Sequence, residues 1–212
     1  MTLASIDDRL GSFGMAALGA FHPARGDTLP SDIQTLVMIG PTTGFWAVFK
    51  QSDEYRDGIA DPMDRWSRRV IGTLACDLGG KAYFPFGGPP FQPFIAWAQR
   101  TGRTWQSPVG LLVHDTSGLF VSYRGALGLR DRLEIGQTNS RPCDSCDQPC
   151  LSACPIGALS ADGYDVPNCK SYITGTDDCL SAGCKVRRAC PVSQKFDRSM
   201  AQSAFHMKAF VG

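Results

Sequence analysis

Eight of the nine cysteines fall between Cys143 and Cys190, leaving Cys76 alone upstream. Nothing else in the sequence restricts the fold so strongly, because thiols gathered this densely must ligate metal or pair with each other. From Arg141 onward large aliphatic side chains are few, so the segment cannot build a conventional core. Metal ligation supplies the missing stability by coupling binding to folding. Disulfides would need an oxidising compartment. Met1 to Leu10 carries Asp7 and Asp8 without a basic segment followed by an apolar run, so no secretory signal is read there. No apolar run reaches the roughly 18 residues of a membrane span. The expected compartment is the cytoplasm, where clustered thiols hold metal.

The spacing narrows the metal. Cys143, Cys146, Cys150 and Cys154, followed by Pro155, read C-x2-C-x3-C-x3-C-P, one residue longer than the bacterial ferredoxin run. A tight loop presents three thiolates to one cubane cluster, while Cys154, about a helical turn beyond Cys150, faces away and serves a neighbour. Cys169, Cys179, Cys184 and Cys190 follow, and Pro191 repeats the Cys-Pro ending. The crossover logic assigns Cys143, Cys146, Cys150 and Cys190 to one 4Fe-4S cluster and Cys154, Cys169, Cys179 and Cys184 to the other. Ser152, Ala153, Gly157 and Ala158 are small enough to leave room for a bulky cofactor. Structural zinc is the lesser alternative, since its sites usually join two close knuckles and only Cys143 with Cys146 makes one. Cys76 reads as a small buried apolar residue.

The first 130 residues alternate helical and strand patterns, which predicts an α/β or α+β domain. Ile6, Leu10, Phe13 and Ala17 keep helical spacing. Gln34 to Ile39 reads as a buried strand between Pro30 and Gly40-Pro41. Asp61 reads as an N-cap with Pro62 in the first turn, and Met63, Trp66, Val70 and Leu74 trace one helix face that ends at Gly79-Gly80. A helix is expected over Phe94 to Thr101, with Gly102 as its stop. Val109 to His114 and Leu119 to Arg124, around Asp115 to Gly118, have the pattern of a hairpin. The polar run of Gln137, Thr138, Asn139 and Ser140 places a boundary near 135, giving an α/β domain over 1–135 and a cluster module over 136–212.

Lys plus Arg is 21 against 20 for Asp plus Glu, so no bulk charge points to nucleic acid or an anionic membrane. Lys185, Arg187 and Arg188, between Cys184 and Cys190, would either tune an anionic cluster and dock an acidic redox partner protein or form a solvated helix face. Tyr83 to Phe94 is rich in aromatics, glycine and proline and reads as a buried loop, with a wall for a planar corrinoid or flavin as the alternative. Gly40 to Gly44 reads as a plain turn. His22, His114 and His206 form no ligand pattern, and structural roles are expected for them.

The run from Cys143 through Gly157-Ala158, then Cys169 with Ser171, Tyr172 and Ile173, then a Cys-Pro, resembles the cluster module of epoxyqueuosine reductases, to which reductive dehalogenases carry a related one. Asp61 to Val70 and Ser107 to Leu127 are similar to segments of short ferredoxin-like and cobalamin-processing relatives. The resemblance implies a nitroreductase-like N-terminal α/β domain, an α+β fold overall, and a C-terminal two-cluster ferredoxin-like module facing the domain's pocket. Where those reductases carry a catalytic Asp, this chain reads Phe84, Pro85, Phe86, Gly87, Gly88, Pro89, with no acid. The same reduction would lack its general acid. The expected function is electron transfer through two 4Fe-4S clusters. The alternative is a reductase whose clusters feed cobalamin or flavin held by the N-terminal domain.

Overall fold

The computed structural model describes residues 1–136 and 138–212; Gln137, part of the polar run at the expected boundary, lies outside the described residues. The fold is mixed α+β with small sheets in which every strand pair is antiparallel. The strands are β1 (Met15–Phe21), β2 (Thr35–Pro41), β3 (Lys81–Tyr83), β4 (Thr104–Gln106), β5 (Leu112–His114), β6 (Gly125–Leu129), β7 (Leu159–Ser160) and β8 (Gly163–Tyr164). Two compact units share the chain: Met1–Arg103 with Ser122–Thr138, and Thr104–Val121 with Asn139–Gly212. No helix among the described residues is long and apolar enough to cross a membrane.

The first unit is built on a four-stranded sheet of order β1-β2-β6-β3. All seven residues of β2 and all five of β6 are buried, which is why both read as apolar runs rather than alternating patterns. Helix α1 (Leu3–Gly11) opens with a reciprocal cap between Thr2 and Ser5 and buries Ile6 and Leu10. The helical spacing expected to continue through Phe13 and Ala17 stops there. Gly14 adopts a φ of +64°, and a Cβ on it would collide with the Phe45 backbone, so the chain turns tightly into β1 and Ala17 lies in a strand.

Helix α2 (Phe45–Phe49) follows the Gly40–Gly44 turn, and helix α3 (Asp53–Arg56) is capped by Ser52. Helix α4 (Pro62–Asp77) has the expected proline start and buries Met63, Trp66, Val70 and Leu74. Asp61 precedes it in a left-handed conformation and makes no side-chain cap, so the proline alone sets that terminus. Trp66 meets Phe45 and Phe49 edge-on at 5.3 and 5.8 Å. Helix α5 (Phe94–Arg100) ends at Gly102, φ +66°.

Three expectations for this part of the chain are corrected. The hairpin predicted between Val109–His114 and Leu119–Arg124 does not form: β5 pairs with β4 upstream, Leu119–Arg124 forms no strand, and an isolated bridge joins His114 to Gly118. The carboxylate of Asp115 and the peptide N–H groups of Thr116 and Ser117 gather on His114 Nδ1, so the residues taken for a polar loop wrap a buried imidazole instead. The Tyr83–Phe94 segment is mostly open rather than buried, with Gly87 to Phe91 exposed and Phe91 at 68% of its full accessibility. Cys76 is exposed, because it falls one position past the buried stripe of α4.

The second unit carries the β4-β5 and β7-β8 ribbons and five helices: α6 (Val166–Gly175), α7 (Asp177–Ala182), α8 (Lys185–Ala189), α9 (Pro191–Phe196) and α10 (Met200–Val211). Its apolar cluster joins Val109, Val113 and Leu119 from the first segment to Leu159 and Val186 from the second. That contribution explains how a cysteine-rich segment poor in aliphatics acquires a core. Cys150 and Cys190 are members of the same cluster, and Cys143, Cys154 and Cys184 pack against it.

Candidate metal centre

The cysteines of the cluster region sit on short turns, at helix starts or in short helices. Cys143 lies in a one-turn 3-10 helix, Pro142–Ser145, and Cys146 closes it. Gln148 then takes a left-handed conformation, φ 54°, that reverses the chain into a second such turn, Pro149–Leu151, carrying Cys150. This reversal accommodates the extra residue of the C-x3-C step. Cys154 follows on irregular backbone rather than a continuing helical turn, and Gly157 closes a turn onto its carbonyl at 3.2 Å. Asp165 caps α6 by accepting from Asn168 N–H, which places Cys169 in the first turn of that helix. Cys179 lies on α7, Cys184 immediately precedes α8, and Cys190 precedes α9 with Pro191 at its first position.

None of the nine cysteines forms a disulfide. Cys150, Cys179 and Cys190 are buried, and the other five of the cluster region are half-buried. Burial pushes the Cys143 thiol up; the Arg141 guanidinium draws it down, and the charges of Cys190 and Cys146 push it further up. Burial likewise raises Cys150, with Cys143, Cys190 and Cys146 adding to the rise. On the other side burial raises Cys169, opposed by the Tyr164 hydroxyl and reinforced by Cys184 and Cys154. Burial raises Cys179, whose neighbours include Cys184. The thiols thus lie within electrostatic reach of one another in two groups: Cys143, Cys146, Cys150 with Cys190, and Cys154, Cys169, Cys184 with Cys179.

Among the described residues, no three His, Cys, Asp or Glu side chains gather tightly enough to hold a single metal ion. Thiolates on one zinc, bonded at ≈ 2.3 Å, would stand roughly 3.8 Å apart by tetrahedral geometry. Ligands of a cubane bond to different irons and stand wider.

Several polar groups serve the thiols. Gln148 N–H donates to Cys146 Sγ at 3.3 Å, and the Tyr164 hydroxyl donates to Cys169 Sγ at the same distance. Tyr164 is held by stacking on Phe210 of α10, 6.1 Å between ring centres and 13° from parallel. Arg187 turns inward and donates to the Leu119 carbonyl. Burial lowers its guanidinium, and the charges of Cys184 and Tyr164 act against that. Burial and the charge of Arg187 bring Arg198 down to about 9, opposed by Cys184. Lys185 pairs with Asp178, while Arg188 is exposed. The basic run is therefore neither one solvated face nor one docking patch. Tyr164 and Arg198 escape sequence reasoning, since no spacing rule ties a tyrosine five residues before a cysteine, or an arginine eight after one, to a metal site.

His114 is fully buried with Asp115 Oδ1 at 3.0 Å, and His22 Nε2 lies 3.0 Å from the Leu133 carbonyl.

No family model matches the chain, and no curated protein or solved structure matches it.

Proposed function

We propose that the chain is an electron-transfer protein carrying two 4Fe-4S clusters, one on Cys143, Cys146, Cys150 and Cys190, the other on Cys154, Cys169, Cys179 and Cys184. The observation that carries this reading is the packing of free thiols on one core: Cys150 and Cys190 are members of the apolar cluster and Cys143, Cys154 and Cys184 pack against it, while the division into two sets of four follows the crossover spacing. The surroundings fit such a cofactor: the Tyr164 hydroxyl and the Gln148 N–H donate to thiols, and the half-buried guanidiniums of Arg187 and Arg198, on which the charge of Cys184 acts, would be offset by a four-thiolate cluster. The clusters, when bound, supply one-electron transfer; the chain's part is to hold, shield and tune them. A reducing cytoplasm and a redox partner protein belong to this reading, as does a ferredoxin-like description of the second unit.

Anaerobic reconstitution with iron and sulfide tests it. About eight irons per chain and a broad visible absorption that bleaches with dithionite are expected. A colourless protein with stoichiometric zinc refutes it.

A second reading has its own observation. In the first unit Phe84 and Phe86 lie 5.2 Å apart, with Arg68 over both rings and Arg124 over Phe86. Flat aromatics bordered by cations suit a planar, anionic cofactor, and with the resemblance to nitroreductase-like relatives they support a reductase that passes electrons to flavin or cobalamin. Titration with either cofactor should perturb its spectrum; no change at high micromolar concentration excludes this reading.

A further inference from the structure

The two thiol groups have unlike environments. Around Cys143, Cys146, Cys150 and Cys190 the polar partners are Arg141, which neighbours Cys143 and also pairs with Asp144 at 3.6 Å, and the Gln148 N–H on Cys146. Cys150 and Cys190 are themselves part of the apolar cluster of Val109, Val113, Leu119, Leu159 and Val186, against which Cys143 and, from the other group, Cys154 and Cys184 also pack. Around Cys154, Cys169, Cys179 and Cys184 the polar partner in contact is a phenol, and two half-buried guanidiniums carry the positive charge on which Cys184 acts. Tyr164 donates to Cys169 Sγ, and the charge acting on Arg187 comes from Cys184 and Tyr164. Arg198 lies over the Phe120 ring at 4.2 Å, its Nε donating to Ser203 Oγ at 3.1 Å. Asp165 and the Asp178–Lys185 pair add opposed charges at the rim of this group.

Reduction adds an electron to an already anionic cluster. Donors to the sulfurs and nearby positive charge therefore stabilise the reduced form, whereas apolar burial favours the form of lower charge. Resting on the two-cluster reading, we propose that the two sites are unequal, the site of Cys154, Cys169, Cys179 and Cys184 having the higher potential, with Tyr164 and Arg187 as the residues that set the difference. Electrons entering the chain then come to rest at that site, which is the donor to the next acceptor. Phe210 acts as a positioning residue, since its ring fixes the direction of the Tyr164 hydroxyl.

The test is a potentiometric titration of the reconstituted holoprotein followed by paramagnetic resonance. The wild type should show two separated midpoints, the reduced spectrum changing form as the second site fills. Tyr164→Phe keeps the ring stack and removes only the hydroxyl; it should lower the upper midpoint and leave the lower one in place. Arg187→Gln should do the same more strongly, with Arg187→Lys restoring part of the shift. Arg141→Gln should move the lower midpoint instead. Equal midpoints in the wild type, or an upper midpoint unmoved by Tyr164→Phe, would overturn the proposal. The iron count separates this failure from that of the underlying reading: about eight irons with equal midpoints refutes only the asymmetry, while about four or none refutes the two-cluster protein itself.

Discussion

Replacing Gly118 by alanine tests how the second unit aligns its last ligand. Gly118 has a φ of +57°, and a Cβ built on it would strike the Ser193 backbone nitrogen, lie 2.6 Å from Ser193 Oγ and 2.9 Å from the Val192 carbonyl carbon. Left-handed backbone disfavours alanine by about 1 kcal/mol. Two of the three obstructing atoms are main chain, so no rotamer change relieves them, and overpacking of this kind costs about 1–3 kcal/mol. Ser193 is fully buried and its Oγ accepts from Leu119 N–H at 2.8 Å; displacing it forfeits that bond, about 1–3 kcal/mol more. The sum is roughly 3–7 kcal/mol, comparable with the whole stability of a small unit. Because Ser193 lies on α9 three residues after Cys190, the displacement also moves that thiol, a ligand in the proposed reading. Urea unfolding of the apoprotein reads the energy, and the iron count after reconstitution reads the ligand. Gly118→Ala with Ser193→Ala should be less destabilised than the two single changes summed, since removing Oγ relieves one collision. A Gly118→Ala protein within about 1 kcal/mol of the wild type, with full iron, would refute the reasoning.

Trp97 is 2% exposed and packs on Tyr83 and Phe94, so Trp97→Ala should destabilise the first unit by about 3–5 kcal/mol in thermal or urea unfolding, whereas Phe91→Ser on the open loop should stay within about 0.5 kcal/mol. The Glu54 carboxyl is held below its ordinary 4.5 chiefly by the Arg69 guanidinium, and Asp27 below 3.8 chiefly by Arg100. Their contribution is complete above those ordinary values and is lost as pH falls through the lower folded-state ones, so stability should decline on acidification from about pH 5, and Glu54→Gln should flatten that decline in pH-dependent unfolding. Loading with iron and sulfide should raise amide-exchange protection across 104–121 and 139–212 while leaving 1–103 unchanged, and chelation should reverse it.

Where one interaction dominates, the sequence already told what the chain does. The α4 stripe of Met63, Trp66, Val70 and Leu74 and the buried run of β2 are periodic patterns that burial alone decides. The cysteine positions were equally plain, because ligand spacing is a local property. What stayed hidden depends on partners distant in the chain. Gly125–Leu129 is a central strand only because β2 and β3 flank it, and its small, glycine-containing sequence carries no alternation to announce that. Val113 looked like part of a hairpin with Leu119–Arg124, but the aliphatic positions 109, 113 and 119 serve a core completed by Leu159 and Val186. The contacts of Tyr164 with Cys169 and Phe210, and of Arg187 with the Leu119 carbonyl, come from tertiary approach, which no one-dimensional rule reports.

The split of each compact unit into two stretches of chain bears on how the protein is made. Residues 104–121 leave the ribosome well before Leu159, Val186 or Cys190 exist to receive them, so Val109, Val113 and Leu119 must wait exposed while the sheet of the first unit closes around Gly125–Leu129. Nascent chains caught in that interval present unsheltered aliphatic side chains, a window for chaperone capture or aggregation. The interval closes only when the last cysteine-bearing turns, those of Cys184 and Cys190, emerge to complete that core.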